Sequence, residues 1–353
     1  MSIKLHPFPS LLHPTFGKSF TALPFTQDGV RLVPDGELMT TDVSTFAELR
    51  IHTNHTQAET RGICGLIPSS AFLDGTIRPH EKTLLSRLQQ QEATVLANNG
   101  ALSKPVLLTV PSLRTWWKTT DEGHAASDKE TTFNGLNNDY ELRLYQSQSA
   151  TRTLPITLEL TGPLVIADGH HRAETHARLS ARGETSCNFI PVCIIGGDEL
   201  TIGAFTRVIT DNQSPSELLP ELGFFFEHER LAGPEAPTKA GEWLLVCQDA
   251  YYRLTRKPNG DESTDYQWLD YTVLSRVFNI MDTRSDERIL FKPTPDPQDG
   301  RLEFTPETGK VYLCGFPLPV ATFFSEVEAG NCLPPKSTRF EPRVPSGLVI
   351  WKP

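Results

Sequence analysis

An α+β fold is predicted, with strands outnumbering helices, and three observations predict it. Apolar runs of strand length recur along the chain, each bounded by turn residues. Helical periodicity is confined to a few short stretches between them. The run Pro163-Leu164-Val165-Ile166-Ala167 reads as a buried strand and passes directly into the polar, basic Asp168-Gly169-His170-His171-Arg172 and a helix.

Taken in order, residues 1–60 are rich in Pro, Thr and His and read as an irregular N-terminal arm with a few short strands. The pattern sharpens at Arg61, where Gly62–Ile67 reads as a buried strand and Asp74-Gly75 as a turn. A helix is expected from about Glu81 to Asn98, with Leu84, Leu85, Leu88, Val95 and Leu96 on one face and Asn99-Gly100 at its end. Pro105–Val110 is the next strand. Residues 112–152 read as an insertion, whose polar stretch Thr119–Asn138 is a solvated loop or a mobile lid. The helix after Arg172 runs to Arg182, with Ala173, Ala177 and Ala181 as a close-packing stripe and Gly183 at its end. Asn188–Ile195 is a further strand, which makes the strand–helix–strand unit a right-handed crossover. The last third reads as α+β: a hairpin of Trp243–Gln248 and Tyr251–Lys257, helices at Tyr271–Ile280 and Phe323–Gly330, and strands at Val311–Cys314 and Leu348–Trp351. The expected domains are therefore the arm 1–60, a core 61–215 carrying the insertion, and a C-terminal α+β domain 216–353.

Composition narrows the function. A net charge of −10 opposes general affinity for nucleic acid. No apolar run is long enough to span a membrane, and Met1–Phe20 lacks the unbroken apolar core of a signal peptide. The six cysteines form no Cys-x-x-Cys pair, so reduced thiols in a cytoplasmic protein are expected, with Cys187 and Cys193 as buried thiols. The sequons at Asn54 and Asn212 read as chance matches.

Chemistry concentrates at the strand-to-helix turn. The first N–H groups of a helix have no intrahelical acceptor, and the positive end of its dipole attracts anions. Asp168 is placed to cap the helix, and Gly169 lets the backbone approach a ligand. His170, His171 and Arg172 then face one anion together, with Arg172 suited to phosphate. The alternative is a cap followed by solvated basic residues, which would oppose the dipole. Glu81, after His80, is expected at a strand's carboxyl end, placed to take a hydroxyl proton or bind Mg²⁺; the dipole alone also favours Glu there. A rival metal site of His80, Glu81, His170 and Glu174 is disfavoured by Arg172 in its midst. His124 and His176 read as surface or core histidines. Lys336-Ser337-Thr338 lacks the upstream glycines of a phosphate-binding loop and reads as an ordered loop stiffened by Pro334 and Pro335.

Three blocks, Ile77–Thr83, Ile166–Arg172 and Pro334–Thr338, occur here in the order seen in a widespread bacterial and archaeal family. The chain resembles that family, known as domain of unknown function number one thousand and fifteen. Softer similarity at Pro105–Thr109, Phe205–Ile209, Leu269–Leu274 and Phe340–Ile350 extends the resemblance over nearly all the chain from Arg61. The Asp-Gly-His-His-Arg block is shared with free-serine kinases of the ParB/sulfiredoxin-like fold. The resemblance implies a ParB/sulfiredoxin-like nucleotide-binding core with an added C-terminal α+β domain. It implies phosphoryl transfer from ADP or ATP, with Mg²⁺, to the hydroxyl of free serine or a similar small metabolite. Asp168, Gly169, His170, His171 and Arg172 become the phosphate cradle. Glu81 becomes the base, and His170 and His171 join the catalytic group. Lys336 becomes a further contact to phosphate or to a substrate carboxylate, and His80, Thr83, Ser337 and Thr338 contact substrate or support residues that do. No nucleic acid or membrane partner is implied, and a homodimer is left open. A non-catalytic nucleotide-binding regulator of the ParB-like fold is the alternative. The chain departs from the family at Leu5–Phe8 and Leu23–Thr26, and at Ala173, often tyrosine in relatives.

Overall fold

The computed structural model describes residues 2–14, 38–53, 58–83, 85–122, 129–134, 138–146, 155–160, 162–258, 260–297, 299–303 and 305–353. Leu23–Thr26, the Asn54 sequon, Leu84, His124 and parts of the insertion lie outside the described residues. The chain divides into two compact units, one of Met1–Thr201 with Val327–Gly330 and Pro342–Pro353, the other of Ile202–Glu326 with Asn331–Glu341. Both are mixed α+β. No helix among the described residues is long and apolar enough to cross a membrane.

The first unit holds β1 (Ser2–Leu5), β2 (Leu12–Pro14), β3 (Leu38–Thr40), β4 (Thr45–Thr53), β5 (Glu59–Pro68), β6 (Ile77–Arg78), β7 (Val106–Val110), β8 (Lys129–Asn134), β9 (Asn138–Gln146), β10 (Ile156–Glu159), β11 (Leu164–Asp168) and β12 (Phe189–Gly196). Its helices are α1 (Leu85–Ala97), α2 (Arg114–Glu122) and α3 (His170–Ala181). An eight-stranded sheet runs β6-β11-β7-β12-β5-β4-β9-β8. Every side chain of β7 is buried, and β12 is buried after Phe189, which is why both read as continuous apolar runs. The strands pack into a core that includes Ile63, Val106, Leu108, Leu164, Ile166 and Ile194.

Five expectations change here. Thr45–Thr53, placed in an irregular arm, is a nine-residue strand between β5 and β9. Much of the polar insertion forms the antiparallel β8–β9 pair at the sheet edge, where Tyr140, Leu142 and Leu144 alternate inward. α1 begins at Leu85, so Glu81 lies before the helix, and Leu96 is exposed. In α3, Ala173 and Ala177 are buried but Ala181 is exposed. The unit β11–α3–β12 is no parallel crossover. β7 lies between the two strands, antiparallel to β11 and parallel to β12, so β11 and β12 run in opposite directions.

The second unit contains β13 (Thr201–Gly203), β14 (Phe205–Thr210), β15 (Phe226–Leu231), β16 (Glu242–Cys247), β17 (Ala250–Arg256), β18 (Ile289–Pro293), β19 (Lys310–Gly315) and β20 (Arg339–Glu341). Six of them form a sheet in the order β15-β17-β16-β19-β14-β18, antiparallel throughout. The expected hairpin is β16–β17, and the expected helix at Tyr271–Ile280 is a longer helical run, Asp265–Val277, with a π-turn at Leu269–Val273. Leu348–Trp351, expected as a strand, contributes only single bridges at Ile350 and Trp351, both within the first unit.

Candidate functional site

The site is built where β11 ends. The register of β11 against β7 shifts between Ile166 and Asp168, a bulge at Ala167 after which Asp168 pairs with Leu107. Gly169 follows with φ +103° and ends the strand; α3 starts one residue later. A Cβ at Gly169 would lie 2.6 Å from Arg172 Nη2 and 3.0 Å from its Cζ, so the arginine folds back over the glycine. From there Arg172 Nη2 donates to Asp168 Oδ2 at 3.2 Å, while Arg172 Nε is buried without a hydrogen-bond partner.

Asp168 does not cap α3, whose N-cap is Gly169 without a side-chain bond. Its carboxylate is already claimed. Lys104 Nζ reaches the same Oδ2 at 2.8 Å. Burial would raise the Asp168 pKa, but Arg172, Lys104 and Arg343 outweigh it and hold the carboxyl far below the usual range. Burial lowers the Lys104 pKa, and Asp168 pulls the other way. Lys104 and Arg343 carry no signal in the sequence that marks them: one lies in the bend just before β7, the other follows the Pro-Pro-Lys-Ser-Thr block.

On the other side of the turn two histidines lie next to Glu81. His80 is buried, and its Nδ1–H donates to the Ile166 carbonyl at 2.7 Å. Burial lowers the His80 pKa against the opposing pull of Glu81 and Asp168. The His80 backbone N–H donates to His170 Nε2 at 3.4 Å, and the two rings meet edge to face at 4.4 Å. With Nε2 accepting, His170 carries its proton on Nδ1, which lies 3.7 Å from Glu81 Oε1. His170 is thus turned inward, against the expectation of an anion-facing side chain, with Nδ1 facing Glu81. Thr83 donates its hydroxyl proton to Glu174 on α3, a second tie between the Glu81 segment and the helix. His171 is half-buried in the first turn. His176 is a core histidine, with Nδ1 near the Arg172 carbonyl and Nε2 near that of Gly100, both at 3.1 Å.

Lys336, Ser337 and Thr338 belong to the second unit. Lys336 adopts φ +57°, its carbonyl accepts from Arg207 Nη1 at 3.3 Å, and its Nζ lies 5.5 Å from the Phe205 ring centre. Ser337 is buried and donates to the Pro334 carbonyl at 2.9 Å, which leaves its hydroxyl proton committed. Beneath this loop Arg207 and Asp270 form a two-pronged ion pair at 3.0 and 3.1 Å, both fully buried.

Asp168, Gly169, Arg172, His80, His170 and Glu81 therefore converge in one unit, with Lys104 added. Among the described residues there is no cluster of three or more His, Cys, Asp and Glu side chains able to hold a metal ion. A cavity of about 490 Å³ lies elsewhere, between α1 and α3, lined by Leu88, Glu92, Thr175 and Arg178 among others.

No curated protein matches the sequence. Among solved structures, the chain is similar to C-terminally truncated SbnI from Staphylococcus aureus, at 16% identity and TM-score 0.46, covering 80% of this chain and 87% of that one. It is similar to a conserved hypothetical protein from Pyrococcus furiosus, at 15% identity and TM-score 0.40, over 80% and 93% of the two chains. A free serine kinase mutant in complex with AMP aligns at 16% identity and TM-score 0.43, over 82% and 91%. In sequence, residues 30–278 match the model of the family described as protein of unknown function (DUF1015), and the chain belongs to that family.

Proposed function

We propose that this protein is a small-molecule kinase that moves a phosphoryl group from ADP or ATP to the hydroxyl of free serine or a similar hydroxylated metabolite. The observation that carries the reading is the placement of Glu81 beside His170, at the helix start where a phosphate would bind. A carboxylate base and an anion cradle at one helix terminus are the two parts phosphoryl transfer needs. In this reading the first unit is the ParB/sulfiredoxin-like core implied by the sequence motifs.

The residues fit a donor phosphate: the Arg172 guanidinium lies over Gly169 at the helix start, and it and the first N–H groups of α3 supply donors. They fit Mg²⁺ only as an ion carried mainly by phosphate oxygens and water, with Glu81 as the nearest carboxylate not held by a lysine or arginine. Bound there, Mg²⁺ would supply charge neutralisation of the phosphates. The chain's own work is to hold the phosphate, orient the acceptor, and move one proton. The acceptor oxygen forms a bond to phosphorus as the bridging P–O bond of the donor breaks. Its proton passes to Glu81, whose orientation His170 Nδ1–H maintains, and AMP or ADP leaves.

Purified protein incubated with Mg²⁺, ADP or ATP and serine, followed by mass spectrometry for a new phosphoester, tests the reading. Glu81→Gln is expected to lower kcat by about 10²- to 10⁴-fold while keeping nucleotide binding. No nucleotide consumed with any small hydroxylated amino acid would overturn it.

A further inference from the structure

We propose that Lys104 is a contact to the donor's phosphates, with Asp168 as the positioning residue that holds it in place. This rests on the kinase reading above. The backbone delivers Lys104: Leu107 of β7 lies opposite Asp168 in an antiparallel pair, so three residues earlier the chain has passed the end of β11 and runs level with the first turn of α3. There Lys104 Nζ sits 2.8 Å from Asp168 Oδ2, with only 16% of the side chain exposed. An ammonium group is costly to bury unless paired, and Asp168 meets that cost.

Asp168 does not need Lys104 in return. Arg172, four residues along in the same segment, already contacts the same oxygen. Two cations, Lys104 and Arg172, meet on one carboxylate oxygen, and Arg343 adds positive potential at Asp168. The Arg172 Nε has no partner at all. A phosphate between Lys104, Arg172 and the first turn of α3 would accept from these donors. Lys104 has three donors, so it can keep one on Asp168 and turn the others to phosphate oxygens.

Calorimetric titration of the full chain with ADP, inorganic pyrophosphate and adenosine tests this. Lys104→Met is expected to weaken ADP and pyrophosphate by about tenfold or more, the loss of a charge-assisted hydrogen bond. Adenosine binding should stay unchanged, and Lys104→Arg should restore most of the loss. A second measurement needs no variant: ADP and pyrophosphate, but not adenosine, should slow acylation of Lys104 in the wild-type protein, read by peptide mass spectrometry. If Lys104→Met binds ADP as the wild type does, or ADP leaves Lys104 acylation unchanged, this inference fails and the kinase reading stands. Equal weakening of adenosine would also sink it, as general distortion. If the wild-type protein binds neither ADP nor pyrophosphate, both fall.

Discussion

At Gly169 two constraints coincide, and each alone would select glycine. Its φ of +103° lies where a Cβ is strained, and the space a Cβ needs is filled by the Arg172 guanidinium at 2.6 Å. Gly169→Ala therefore has to shift Arg172 off Asp168 as well as strain the backbone. It is expected to cost about 1–3 kcal/mol of stability, read as a lower urea midpoint, and to weaken ADP binding in parallel. A variant as stable as the wild type would show that the turn relaxes freely. The glycine and the arginine were legible in the sequence because turn chemistry and the strand-to-helix switch are local signals; Glu81 stood out through the resemblance to the family. Lys104 was not, because its partner lies 64 residues away in sequence and only the β7–β11 pairing brings them together.

The elements show where local reading stops. The strands β5, β7, β11, β12, β16, β17 and β19 were legible from their apolar runs, and α3 from its glycines and alanines. The direction of β11 relative to β12 was not, since the pattern strand–helix–strand is the same whether or not a third strand separates the pair. Nor was the start of α1: Glu81 and Lys82 suit a helix, but ties from His170 to His80 and Glu81 and from Thr83 to Glu174 hold this stretch in a different path. In the second unit three separated stretches, β14, the π-turn and the Lys336 loop, meet at one buried pair. Arg207 grips Asp270 and donates to the Lys336 carbonyl, and its guanidinium lies over the Tyr266 ring at 4.6 Å. Burial pushes the Asp270 pKa up, with Arg207 opposing it. Asp270→Asn leaves the arginine charge buried without a counter-ion, so a loss of about 3–5 kcal/mol is expected in chemical denaturation. The double variant Arg207→Met with Asp270→Leu should recover much of it. If the single substitution is neutral, the pair does not hold the loop.

At the scale of the whole molecule, the chain returns to its first unit at the end. Pro342–Pro353 follows the second unit in sequence yet belongs with Met1–Thr201. Leu348, Val349, Ile350 and Trp351 are buried. Ile350 exchanges both backbone hydrogen bonds with Leu12, and Trp351 both with Leu102. The sequence marked this stretch as apolar but carried no sign of its partners, which lie more than two hundred residues earlier. Gly347 also donates to the Ser103 carbonyl at 2.7 Å, so the tail pins the residues immediately before Lys104. Ending the chain at Glu341 removes five buried apolar side chains, Val344, Leu348, Val349, Ile350 and Trp351, worth on the order of 7 kcal/mol at about 1.5 kcal/mol each, comparable to the entire stability of a typical domain. The truncated chain should therefore lose the first unit's cooperative unfolding transition. Limited proteolysis should then cut within residues 58–110 before it cuts β14–β19. The less drastic Trp351→Ala, which keeps the backbone pairing, should fold with lowered stability and bind ADP more weakly than the wild type, because Leu102 and Ser103 no longer fix where Lys104 starts. A truncated chain that unfolds at the wild-type urea midpoint would mean the tail is an appendage, and the first unit complete without it.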